Sequence, residues 1–220
     1  MAYPTVDKPY GLKPINLIGG QVFAGSTRQR RIDSSASSIG FGDPLKFASD
    51  GTVVVTTETT TPPDAGFAGV FLGCTFVSTV TGQPTFSQAW ISGTAVKSGT
   101  YVTAYVADDP NTLFKAVGVS ASLVVSTTGG FVYSDIGTNV ALVANTLNTT
   151  TNDSQQGLLT SSSAVTRSLP VRIVDVVEET SFISSGTVYY PEVIVKFNAP
   201  YLTSVSLIVG GHAYNTPLGI

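Results

Sequence analysis

The stretch Tyr101-Val102-Thr103-Ala104-Tyr105-Val106-Ala107-Asp108-Asp109-Pro110-Asn111-Thr112-Leu113-Phe114 decides the fold class. Tyr101, Thr103 and Tyr105 fall on one face, and Val102, Ala104 and Val106 on the other, which is the period of two of a half-buried strand. Asp108-Asp109-Pro110-Asn111 then reads as a turn. Aspartate side chains bond nearby backbone amides there, and proline presets φ. Leu113–Val119 returns to an extended pattern.

The same grammar extends in both directions. Upstream, Val53–Thr57 is almost wholly β-branched, and Thr61-Pro62-Pro63-Asp64 breaks it. Phe67–Val77 reads as one buried strand or a pair, with Gly69 and Gly73 marking a bulge or a close backbone approach. Downstream, strands are expected at Leu123–Ser126, Val171–Val177, Thr187–Tyr190, Val193–Phe197 and Thr203–Val209. Val193, Val195 and Phe197 share a face opposite Ile194 and Lys196. The polar run Asn145–Ser163 reads as a surface loop, an insertion around 145–165. There is no heptad, long amphipathic helix or internal repeat. The pattern predicts an all-β chain, an antiparallel β-sandwich or barrel.

Residues 1–45 read differently, as an extended N-terminal arm on a β-rich body spanning 46–220. Pro4, Pro9 and Pro14 lack an amide donor and hold their predecessors extended. Yet Tyr3, Val6, Tyr10, Leu12, Ile15 and Phe23 are apolar, which a solvated linker does not need. Such an arm lies on something, either its own body or a neighbour. With Arg28, Arg30 and Arg31, these side chains are the candidate contacts to another chain.

Charged residues are 11% of the chain, against roughly 25% in an average domain. Hydroxyls replace them, with 29 Thr and 24 Ser. Hydrophobic residues make up 42%, which excludes the profile of intrinsic disorder. So little charge suits a surface shared with neighbours. Residues 1–46 carry six basic and three acidic side chains, and the remainder five basic and eleven acidic. A weakly basic segment beside an acidic body favours docking onto protein; nucleic acid would call for a denser basic patch. No apolar run reaches the roughly 18–20 residues of a membrane span, and Pro4, Asp7, Lys8 and Pro9 interrupt any signal-peptide core. Synthesis in a cytosol is the expectation.

The chemistry-bearing residue types are scarce. Cys74 is the one cysteine, in an apolar run, and reads as a small core residue. His212 is the one histidine, so neither a zinc site nor a nucleophile–histidine pair can be assembled from close Cys or His pairs. Asp108-Asp109 and Glu178-Glu179 are adjacent carboxylates, whereas glycoside hydrolysis needs two facing each other across a substrate. Gly19-Gly20 and Gly129-Gly130 lack the lysine of a phosphate loop. No catalytic residue, metal or cofactor is expected.

Taken together, several segments resemble the decoration, or cement, proteins of tailed double-stranded DNA bacteriophages. They are Asp7-Lys8-Pro9-Tyr10-Gly11-Leu12-Lys13-Pro14-Ile15, Gly69-Val70-Phe71-Leu72-Gly73-Cys74-Thr75-Phe76, Ala104–Phe114, Asp135-Ile136-Gly137-Thr138-Asn139, Leu169–Asp175 and Val193–Asn198, in that order. The chain departs from the pattern at Trp90, which no proline follows, and in running past Asn198. The resemblance implies a non-enzymatic virion protein seated on the outer capsid surface. Its expected partner is the major capsid protein, and its expected state a homotrimer with a dimer as the alternative. No nucleic acid and no membrane are implied. A tail or fibre component is the structural alternative, and a virion-borne glycan hydrolase the contrasting one.

Overall fold

A computed structural model describes residues 6–57, 59–60, 66–166 and 168–198, with backbone alone over 201–204 and 207–209. Tyr3 and His212 lie outside the described residues. In chain order the strands begin with β1 (Lys13–Leu17), β2 (Arg28–Arg31), β3 (Pro44–Phe47), β4 (Val53–Val55), β5 (Phe67–Val77) and β6 (Pro84–Ser87). There follow β7 (Thr103–Ala107), β8 (Thr112–Val119), β9 (Asn139–Val140), β10 (Leu142–Val143), β11 (Gly157–Leu159) and β12 (Val171–Val176). The last are β13 (Phe182–Ser184), β14 (Thr187–Tyr189), β15 (Glu192–Phe197), β16 (Tyr201–Ser204) and β17 (Leu207–Val209). The chain is all-β and mainly antiparallel, as its alternation predicts. Among the described residues, no helix is long and apolar enough to cross a membrane.

Two sheets each curl toward closure. The first runs β10-β11-β8-β15-β12-β9, with β1 beside β8. Its two ends, β9 and β10, are separated only by Ala141, so one kinked strand serves both edges and the sheet closes on itself. One contact within it is parallel, β11 on β8. The second sheet runs β2-β7-β5-β3-β4, with β6 beside β5. A parallel bridge between Ile32 and Val53 joins its ends. In the first sheet this closure removes the edges that would otherwise template aggregation, while in the second a single bridge brings the two edges together.

Each barrel has its own core, and β5 serves both. Phe114, Ile173, Val193, Val195, Leu158 and Phe131 fill the first, while Ile39, Leu45, Val53, Phe71, Cys74 and Val106 fill the second. Phe67 and Val70 on β5 join the first core, whereas Ala68, Phe71 and Cys74 join the second. Phe67 stacks on Phe197 of β15 with centroids 4.4 Å apart, fastening one barrel to the other. Gly69 (φ +128°) lets this happen, because a Cβ there would lie 2.4 Å from the Ala107 carbonyl oxygen. The ladders slip register opposite Gly69 and again between Phe71 and Cys74, which are the bulges the glycines announce.

The Asp108–Asn111 turn forms as read: the Asn111 amide donates to Asp109 Oδ1 at 2.8 Å. It does not fold a hairpin, however. β7 belongs to the second sheet and β8 to the first, so the turn hands the chain from one barrel to the other. Three other expectations need correction. Leu123–Ser126 holds no strand: Leu123, at φ 59°, ends a turn in which its amide bonds to the Ser120 carbonyl. Thr203–Val209 is two paired strands, β16 and β17, where one was expected. The polar loop around 145–165 holds β11 and a short 3-10 turn at Thr160–Ser162, because Leu158 is needed in the first core.

The largest correction concerns residues 1–45, expected as an arm. From residue 6 onward, Lys13–Leu17, Arg28–Arg31 and the start of Pro44–Phe47 are strands of the walls, while 18–27 is a largely exposed connection between the first two. β1 pairs with β8, β2 pairs with β7, and Leu12, Ile32, Ala36 and Ile39 are buried. The prolines hold the segment extended, as read, but their neighbours' amides bond to the body. Gly11 N donates to Gln156 O at 3.0 Å and Leu12 N to Gly42 O at 2.9 Å. An extended segment with apolar residues and unpaired amides next to an open sheet edge completes that sheet.

Candidate contact surface

The nominated contact residues are largely engaged within the chain. Leu12 is inside the first core, and Phe23 packs against it. Val6 and Ile15 are half-buried. The Tyr10 hydroxyl donates to Glu192 Oε1, and Lys115 Nζ reaches the same oxygen at 3.0 Å. Lys13 Nζ sits 4.5 Å from the centre of the Tyr10 ring. Burial, and then the hydrogen bond to Glu192, push the Tyr10 hydroxyl far above its ordinary pKa. Glu192 is buried, and the amine and hydroxyl together compensate its charge.

The basic cluster is also drawn inward. Arg28 Nε lies 2.7 Å from Asp108 Oδ2, and an Arg30 terminal nitrogen lies 3.9 Å from the same atom. Arg31 lays its guanidinium 3.7 Å from the centre of the Tyr101 ring. The complementarity between a basic N-terminal segment and an acidic body is thus partly satisfied inside one chain.

A different surface carries uncompensated charge. On β12 and β15, Arg172 and Lys196 stand directly opposite each other. Alternation turns both outward, since Val171 and Ile173 on one strand and Val195 and Phe197 on the other are buried. Neither cation has an ion pair among the described residues. Like charges placed directly across an antiparallel pair are destabilising. They flank a groove of about 400 Å³ lined by Ile18, Ile136, Ile173, Val174 and Phe197. Ile18 is 50% exposed at the tip after β1, held by its amide bonded to Asn111 O at 2.9 Å. Sequence reading missed this pair. Lys196 was visible as an outward residue of its strand, but only the register puts Arg172 across from it.

Another concavity, of about 760 Å³, lies between the 37–38, 55–57, 91–92 and 144–149 segments and has no titratable side chain in its lining. Among the described residues, no group of three or more His, Cys, Asp or Glu is placed to hold a metal ion. Cys74 is buried in the second core, where burial pushes its thiol up to about 11. Asp43 is a buried carboxylate whose Oδ2 accepts from the Gly40 amide at 2.7 Å, and burial pushes it up to about 6. Comparison with known protein families, with curated proteins and with solved structures finds no match for the chain.

Proposed function

We propose that the protein is a non-enzymatic structural component of a tailed-phage virion that binds the outer face of the capsid and reinforces the shell. The observation that carries this reading is the Arg172–Lys196 pair beside an apolar groove. A chain with only 11% charged residues places two cations face to face, and neither has an ion pair among the described residues. That arrangement costs the isolated chain stability and is relieved when an acidic, partly apolar partner surface covers it. The ordered resemblance of the sequence to decoration proteins supplies the partner, the major capsid protein. The closed first sheet and the second sheet fastened to it through β5 supply a body able to bridge capsid subunits with few free edges.

In this reading the protein is made in the bacterial cytoplasm and ends on the capsid surface as a homo-oligomer, a trimer at local threefold positions. Many modest contacts, each worth about 1 kcal/mol net, sum over the shell. The test is particle-based. Purified protein is added to mature particles lacking it, its density is located on the reconstructed particle, and the mass of the free protein is measured under native conditions. Density on the outer shell and a trimeric mass are expected. A persistent monomer absent from the shell overturns the proposal, and density on the tail favours the tail-component reading.

A further inference from the structure

The first barrel holds another pair of facing cations, Lys13 on β1 opposite Lys115 on β8. That pair is resolved within the chain. Lys115 Nζ lies 3.0 Å from Oε1 of Glu192, which is buried, and the Tyr10 hydroxyl donates to the same oxygen. Lys13 Nζ and Lys115 Nζ lie 4.5 and 5.7 Å from the centre of the Tyr10 ring. One carboxylate and one large ring thus serve two opposed cations.

Lys196 lies four residues beyond Glu192 on β15, on the same face by alternation, and Arg172 stands across from it. Here the chain supplies no carboxylate. Asp175, the one acidic residue of β12, stands opposite Ile194 and turns Oδ1 to the Val176 amide at 2.8 Å. It forms no ion pair with either cation among the described residues.

Building on the capsid-binding reading, we propose that this groove takes an extended polypeptide segment of the partner that carries one carboxylate beside a large apolar side chain. Opposed residues of an antiparallel pair have Cβ atoms about 4.5–5.5 Å apart. One carboxylate can therefore meet both the guanidinium fork of Arg172 and the ammonium of Lys196. A Cβ on Gly137 would lie 3.9 Å from an Arg172 terminal nitrogen, so the guanidinium extends along the Ile136–Gly137 rim of the groove. The apolar lining, with Ile18, Ile136 and Phe197, encloses about 400 Å³ and receives the neighbouring side chain. The floor is already fixed. Asn198 donates its amide to Pro170 O at 3.0 Å and its Nδ2 to Leu169 O at 2.6 Å, so little ordering cost falls on binding.

Both parts of the segment are needed. A small inorganic anion satisfies the cations but leaves the apolar lining in water. An uncharged apolar segment covers the lining but seals two cations away unpaired, which is costly.

The isotope-labelled full chain is titrated with three end-blocked pentapeptides and with sodium phosphate, each to about 5 mM, while backbone amide resonances are followed. The peptides are Gly-Leu-Glu-Leu-Gly, Gly-Leu-Gln-Leu-Gly and Gly-Gly-Glu-Gly-Gly. Saturable shifts at Gly137, Arg172 and Lys196 are expected with the first, with half-saturation on the order of 0.1–1 mM. The other two peptides and phosphate should bind at least fivefold more weakly. Arg172→Gln and Lys196→Gln should each weaken the first peptide at least fivefold with the melting temperature retained. Lys97→Gln, exposed beside the second barrel, should leave it unchanged. No saturable response overturns the proposal, as does equal binding of the glutamine peptide or of phosphate. Shifts confined to another surface, or groove variants without effect, overturn it too. Density on the shell without a peptide response sinks this assignment alone. Peptide binding at the groove without density on the shell sinks the capsid reading and leaves the groove's chemistry standing.

Discussion

The Tyr10 hydroxyl donates to Glu192 Oε1 across 182 positions of sequence. With Lys115 on the same oxygen, this places the N-terminal segment, β8 and β15 around one buried carboxylate. The link explains why the first forty residues belong to the fold. A buried glutamate needs partners, and two separate segments each supply one.

Tyr10→Phe removes one of those partners and keeps the ring. The expected cost is about 1.5–3 kcal/mol, as for a hydrogen bond to a charged group, measured by urea unfolding. Deleting residues 2–25 should leave no stable body, because β1 and Leu12 go with it. A truncated protein with native dichroism and melting temperature would refute the wall assignment.

Asp43 makes stability depend on pH. Its folded pKa, about 6, lies above the ordinary 3.8, so the folded state holds this proton more tightly. Its contribution is therefore complete below about pH 4 and is lost as pH rises through about 6, by up to about 3 kcal/mol. Asp43→Asn should abolish that component. The stability difference, variant minus wild type, is expected to grow in the variant's favour between pH 4 and pH 7.5. A difference independent of pH would show that Asp43 titrates normally.

Gly69→Ala tests the shared wall of the barrels. Both its φ of +128° and the 2.4 Å approach to the Ala107 carbonyl oxygen oppose a methyl group. A loss of at least about 2–3 kcal/mol is expected, in the range of strained backbone positions. Gly82→Ala is the comparison. Its φ of +68° carries strain, but no atom lies within 4 Å of the added Cβ, so its loss should be clearly smaller. Equal losses would mean that backbone strain, not the close approach, decides.

Reversing one charge of the outward pair separates folding from docking. Arg172→Glu or Lys196→Glu converts a repulsive cross-strand pair into an attractive one, so stability should hold or rise by about 0.2–1 kcal/mol. Binding to particles lacking the protein should nevertheless fall at least tenfold, and wild-type binding should weaken with added salt. Undiminished binding by both variants would exclude this face as the contact.

The alternation of Val102, Ala104 and Val106, and of Val193, Val195 and Phe197, determined on its own which faces are buried. A period of two is a property of the extended chain itself. Gly69 and Gly73 likewise announced their bulges, because only glycine adopts such φ values without strain. What alternation cannot carry is the choice of partner strand. That depends on closure: Ala141 joining the two edges of one sheet, and Ile32 meeting Val53 across the other. Hence the proline-spaced segment read as an arm although it is wall, since an extended strand looks the same whether its amides bond to water or to β8. The opposition of Arg172 and Lys196 follows the same rule. Register and barrel closure bring together residues that no local pattern relates, and those contacts exist only once the cores have fixed both walls.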